Sequence, residues 1–255
     1  MNRVIHAAVR RDLDRFTNAL STIDGERRAE QLSAAWANFH EQLTRHHSSE
    51  HRIAWPALSK AGVSDDLISQ FDAEHDRMAA ALESADQAMR SWRGTPSAEN
   101  AKAAREAVAA LRATATEHLD HEEAELEPFF LEHAHTPEMK QMGRAFGREL
   151  KPPEAGTFFA WLQDGASGDE LAGLRQNVPG PVVAILGGVF GGKYRRTIAP
   201  AWRGARASSL SPGPSVRTSV RSVVAGRVPG CRWWARRRGY LPTGRKTRPR
   251  QTDQG

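Results

Sequence analysis

Several things are scarce in this 255-residue chain, and each scarcity excludes something. It has one cysteine, Cys231, so no intramolecular disulfide can form and a reducing cytoplasm is the expected setting. The opening MNRVIHAAVRRDLDRF carries charges every few residues and no apolar leader core, so no signal peptide is expected. The longest apolar run, PVVAILGGVF at 181–190, is far too short to span a bilayer, and no membrane partner is expected. Clean polar–apolar alternation is missing, which leaves β-strands unsupported.

Acidic residues are almost missing from the end of the chain. Residues 203–255 hold thirteen Lys/Arg and one acid, Asp253, a local charge of +12. That leaves 23 Lys/Arg against 29 Asp/Glu, or −6, in residues 1–202. The net charge of +6 therefore averages an acidic body and a basic tail. This Arg-rich, low-complexity tail is expected to be disordered, with nonspecific attraction to nucleic acid or other anionic surfaces. So abrupt a change would also follow from out-of-frame reading of GC-rich coding sequence. All ten histidines lie between His6 and His135, so only the first part of the chain is rich in metal-ligand candidates.

That first part is periodic. Val4, Ile5, Ala8, Val9, Leu13, Phe16 and Leu20 share one helical face over residues 3–22. A break at Asp24 and Gly25 precedes a second helix over 27–54, ended by Pro56 and the segment AGVSDD. A third helix, N-capped by Ser64, covers 65–92, and an alanine-rich fourth covers 98–127. Four long amphipathic helices with short connections predict an all-α fold, an antiparallel up-down four-helix bundle over residues 1–135. Residues 136–202 are expected to form a helical extension packed on it, with a short helix from Pro137 and another capped by Gly165. Within the extension, Gly187, Gly192 and Lys193 imitate a phosphate-binding loop. Tyr194 stands where Ser or Thr is required and no strand precedes it, so a flexible turn is the better reading.

Two stretches carry the chemistry: HHSSEHRIAWP at 46–56 and HLDHEEAELEP at 118–128. Both read His-x-x-x-Glu followed six positions later by Pro, giving His46, Glu50, Pro56 and His118, Glu122, Pro128. The offset is 72 residues at all three positions. A residue and its i+4 neighbour project from one helix face, so each pair offers an imidazole and a carboxylate to one ion. His6 and His75 lie on the core faces of the first and third helices, 69 residues apart. The chain thus reads as a duplicated helix pair. Burying four histidines and two glutamates is costly unless something binds them. Six donors are too many for one tetrahedral zinc and suit two first-row ions, each with two histidines, bridged by the glutamates. Two carboxylates with four neutral imidazoles give the site a formal charge of −2, which tolerates ferrous iron better than a four-glutamate site does.

With these motifs the chain resembles the hemerythrin-like, or HHE cation-binding, family over residues 1 to about 135. The resemblance implies a four-helix bundle around a non-haem, carboxylate-bridged pair of iron ions, with His6, His46, Glu50, His75, His118 and Glu122 as metal ligands. The segment from FFAWLQDGAS to KYRRTIAPAW is similar to extensions in actinobacterial relatives. One departure stands out: oxygen-carrying hemerythrins have a further histidine four residues after the third-helix one, and position 79 here is Ala.

Competing registers exist, since His47/His51 and His121/Glu125 are also four apart. Only the chosen pairs keep identical distances to their prolines. His47, His51 and His121 are therefore read as surface residues or as neighbours that orient the ligands. His40, His133 and His135 are read as solvated, and Met78 and Trp36 as packing residues. The resemblance implies binding or sensing of dioxygen, nitric oxide or peroxide. Catalase-like peroxide decomposition is its enzymatic version, and an iron-responsive interaction module without turnover is the alternative.

Overall fold

The computed structural model describes residues 1–21 and 26–203. The break expected at Asp24 and Gly25, and the disorder expected of the basic tail from residue 204 onward, fall outside the described residues. The described residues are helical and contain no strand.

Four long helices form the first part: α1 (Asn2–Ala19), α2 (Glu26–Ser49), α4 (Asp65–Gly94) and α5 (Ala98–His133). Helix α1 packs on α2 and α5, and α4 packs on the same two, which closes a ring of contacts around one interior. The starts of α4 and α5 follow from their caps. Ser64 and Ser97 each accept a hydrogen bond from the backbone N–H three residues on, at 3.2 Å and 3.1 Å.

Pro56 does not end the second helix. A π-helical turn, Glu50–Ala54, follows α2 and leads directly into α3 (Trp55–Ala61), where Pro56 sits in the first turn. Proline lacks an N–H and crowds the preceding turn of a regular helix, but it suits a helix start. In the π turn the N–H of Trp55 reaches back five residues to the carbonyl of Glu50. The stop comes at Gly62, whose φ of 104° is left-handed. Pro128 is likewise absorbed within α5, which continues to His133 rather than stopping at 127.

Along each of α2, α4 and α5 the buried positions form an apolar stripe with a polar interruption. On α2 the order is Phe39, Leu43, then His46 and Glu50, then Ala54 and Trp55 beyond it. On α4, Phe71 and Met78 flank His75, and on α5, Ala115 and Leu126 flank His118 and Glu122. The large cluster around Phe16, Trp36, Phe39 and Leu111 lies to one side. A smaller cluster, with Trp55, Leu58, Phe71, Leu126 and Met139, lies to the other. The polar residues are held between two dry regions.

The remaining helices are α6 (Pro137–Glu149), α7 (Pro152–Gln163), α8 (Gly168–Asn177) and α9 (Gly180–Ile185), followed by π turns at Leu186–Phe190 and Tyr194–Ile198. Helix α6 places Met139 in the smaller cluster against α3. Helices α7 and α8 pack on α1, and the last π turn packs on α2. Their polar anchor is Asp12 on α1, a buried carboxylate that accepts from Trp161 Nε1 at 2.8 Å and from Arg15 at 3.1 Å. Burial pushes the Asp12 carboxyl above its ordinary range despite the opposing pull of Arg15, Arg11 and Trp161. The glycine-rich segment expected to be a flexible turn is instead regular and packed. An added Cβ on Gly156 of α7 would come within 2.3 Å of Phe190 Cβ, so glycine permits this close approach of the π turn.

Candidate metal centre

Each of the six residues singled out by spacing is buried, and the structure brings them into one cluster. His6 and His46 face each other through Nε2 atoms 3.1 Å apart, and His75 and His118 do the same at 3.1 Å. Each helix pair of the apparent duplication therefore forms one histidine pair. The glutamates cross between them. Glu50 reaches His46 in its own half (Oε1 to Nε2, 3.3 Å) and His75 in the other half (Oε2 to Nε2, 3.6 Å). Glu122 reaches His6 across the interior (Oε2 to Nε2, 3.1 Å) and His118 on its own helix at 3.9 Å. Its second oxygen, Oε1, is taken by the Asn2 amide, which donates at 2.9 Å.

A seventh donor comes from outside the chosen set. His47, placed among the surface or orienting residues by its register, joins His75 and His118 in one group of potential ligand atoms. His6, His46, Glu50 and Glu122 form the other, with the atoms of each group within 4.8 Å of one another. The His47 ring stacks on His75 at 4.2 Å between centroids, and its Nε2 is buried with no hydrogen-bond partner. The cluster thus holds five imidazoles. Ala79 is exposed, so the fifth ring is supplied by α2 rather than by the position used in the oxygen carriers. The available signal was the doubled histidine at 46–47, which the other half lacks: the position 72 residues on is Leu119.

Two further carboxylates orient rings. Glu123 accepts from His6 Nδ1 at 2.8 Å, and Glu74 accepts from His118 Nδ1 at 2.9 Å. An ionised carboxylate only accepts, so each Nδ1 carries the proton and each Nε2 lone pair faces inward. Burial opposes ionisation of Glu123, but the bonds from His6 and Arg10 win and hold it at about 2. Glu74 is held below its ordinary value in the same way, by His118 and His121. His121 donates to Glu74 at 2.8 Å and so orients rather than ligates. His51 is exposed and pairs with Asp72 at 3.2 Å, while Glu125 is exposed. His133 stacks on Phe129, and His135 is exposed. Met78 and Trp36 are core residues, the indole of Trp36 donating to Asp86 at 2.8 Å.

The electrostatics suit a cation. Burial, then the neighbouring histidines, drives His46 and His47 well below the ordinary imidazole value. Burial also lowers His75 to about 4 and outweighs Glu74 in lowering His118. These four rings are neutral at pH 7, as metal ligands must be. His6 differs: burial lowers it, but the nearby carboxylates of Glu122 and Glu123 leave it raised. Burial, reinforced by Glu122, pushes Glu50 well above the carboxylate range. Glu122 is lowered because His6 outweighs the effect of burial. Oε2 of both Glu50 and Glu122 is buried without a hydrogen-bond partner. Two orphaned carboxylate oxygens among inward-facing imidazole nitrogens make a donor set that fits metal cations.

No helix among the described residues is long and apolar enough to cross a membrane. Neither a curated protein nor a solved structure matches the chain. One family model does match, that of the Hemerythrin HHE cation binding domain, over residues 3–130, a span that contains all seven donors of the cluster and both orienting carboxylates. Half of the chain is covered by that match, and the chain belongs to the hemerythrin HHE cation-binding domain family.

Proposed function

We propose that this protein holds two iron ions inside an antiparallel four-helix bundle and uses them to bind or sense dioxygen, nitric oxide or peroxide. The observation that carries the reading is the division of the clustered donors into two groups, with Glu50 aiming one oxygen at each. His6, His46, Glu50 and Glu122 would hold one ion. His47, His75 and His118 would hold the other, with Glu50 in reach of both. Iron so bound would supply a reversible change of one charge between its ferrous and ferric states. Imidazoles coordinate a cation in their neutral form, so the two carboxylates would give the ligand set a charge of −2 that leaves the ferrous state accessible.

The chain's own residues prepare the site. Glu123 and Glu74 fix the tautomers of His6 and His118. Trp55 stacks on both Phe71 and His75, placing apolar surface against the second group and limiting water. Asn2 holds one oxygen of Glu122, which leaves the other for the metal. In the enzymatic version, one peroxide is oxidised to dioxygen while another is reduced to two waters.

A second reading has its own support. The donors are spread over α1, α2 with its π turn, α4 and α5, so iron would tie together segments far apart in the chain. Such a domain can report iron through its own folding, without turnover. Metal analysis with optical spectra, before and after addition of dioxygen, nitric oxide and peroxide, tests both. About two irons per chain and ligand-dependent spectra support the first reading. Iron-dependent helicity without any spectral response to these ligands supports the second. A protein that takes up no iron refutes both.

A further inference from the structure

Only four large hydrophobic side chains are strongly exposed among the described residues: Leu131 at 64%, Ile185 at 57%, Val189 at 69% and Phe190 at 40%. Three of the four fall within six consecutive positions. Ile185 and Val189 are four apart on the continuous run from α9 into the π turn, so they project from one side. Pro181, Ala184 and Gly188 are exposed there too. The segment is not loose: Leu186 and Gly187 are buried, and Phe190 lies backbone-first against Gly156. The fold thus holds an apolar ridge firmly in place and leaves it facing water.

Arg195 and Arg203 lie beside this stretch, and further cations follow it in sequence. Arg195 turns back onto the same stretch, its guanidinium donating to the carbonyls of Gly187 and Gly188 at 2.5 Å and 2.6 Å. Arg196 lies against Gly192, and Lys193 and Arg203 belong to the same segment. No Asp or Glu occurs between Glu170 and Asp253.

We propose that this ridge is a docking face for an anionic phospholipid bilayer surface, with Ile185, Val189 and Phe190 entering the headgroup boundary and Lys193, Arg195, Arg196 and Arg203 meeting lipid phosphates and carboxylates. Charge selects this occupant. A second copy of the chain would bring like cations together, whereas an anionic bilayer answers both the apolar and the cationic parts. The two parts act jointly, since a few side chains give marginal insertion and cations near the surface strengthen it. The twelve Lys/Arg that follow Arg203 add attraction of the same sign. Absence of a spanning run had suggested no membrane partner, and the proposal replaces that expectation with contact at the surface alone.

The test is co-sedimentation of the full chain with vesicles of phosphatidylcholine plus phosphatidylserine, and with phosphatidylcholine alone, at physiological salt. Binding to the mixed vesicles only is expected. The double variant Ile185→Ser/Val189→Ser should weaken it about tenfold while keeping helicity and iron content. Arg196→Gln/Arg203→Gln should weaken it about tenfold as well, and keeps the proposal testable if the first variant does not fold. Three results overturn the proposal. The first is equal binding by wild type and the folded serine variant, which assigns attraction to the tail alone. Equal binding to both vesicle types is the second. The third is absence of vesicle binding, including the case where the ridge instead forms a concentration-dependent dimer abolished by the serine variant.

Discussion

Carboxylate oxygens of Glu50 and Glu122 lie within 4.8 Å of each other in the buried centre, one from each half of the duplicated sequence. Without a cation the two acids disfavour each other, and Glu50 carries most of the cost.

Glu50→Gln is therefore expected to act with opposite signs. In chelator-treated protein it should stabilise by about 1–3 kcal/mol, because the cost of burying an ionisable carboxyl beside a second acid disappears. Metal-loaded protein should instead be destabilised, since a ligand is lost. The pH dependence follows from the raised pKa of Glu50. Its neutral form is favoured by folding, so metal-free stability is greatest below the unfolded value of 4.5 and is lost as pH rises through the folded value. Thermal melts of both forms across pH check the sign change. Destabilisation in both forms would contradict it.

His47→Ala should reduce iron from about two to about one per chain, because three imidazoles serve the second group and one would be gone. His51→Ala, at an exposed ring paired with Asp72, should leave the count unchanged. Elemental analysis of the two purified variants decides.

Acid unfolding should show the hand of Glu123. Its folded value of about 2 lies below the ordinary value of 4.5, so its contribution is full above 4.5 and is lost as pH falls towards 2. Glu123→Gln should flatten the loss of helicity over that window, measured by circular dichroism.

Gly156→Ala should destabilise by about 1–3 kcal/mol, since the added methyl meets Phe190 and cannot avoid its backbone. Iron content should not change. Unfolding midpoints with metal analysis test both parts.

The long helices and the six spaced donors were legible in the sequence because they rest on local rules: i, i+4 geometry and apolar periodicity. His47 was not, for a physical reason. Neighbours on a helix point about 100° apart, so a single ion would be reached by one of the two adjacent histidines. A centre with two groups of donors is wide enough for α2 to send His46 to one and His47 to the other. Glu74 and Glu123 were hidden because their partners are set by the approach of separate helices, which no local spacing encodes. The π turn was hidden for the opposite reason. Pro56 correctly signals that a regular helix cannot pass, but the chain can either stop or widen its turn. The same ambiguity at the glycine-rich segment turned an expected flexible turn into a packed helical one, against which Gly156 allows backbone contact.

The crossed reach of Glu50 to His75 and of Glu122 to His6 has a consequence for fragments of this molecule. A peptide ending near Gly62 would carry three histidine donors from α1 and α2 beside Glu50, yet lack the acid that belongs opposite His6. Its complement would be short of the opposite acid. Neither piece could make a whole cage, but mixing them would restore one, and two identical half-length chains would have to pair face to face to approximate it.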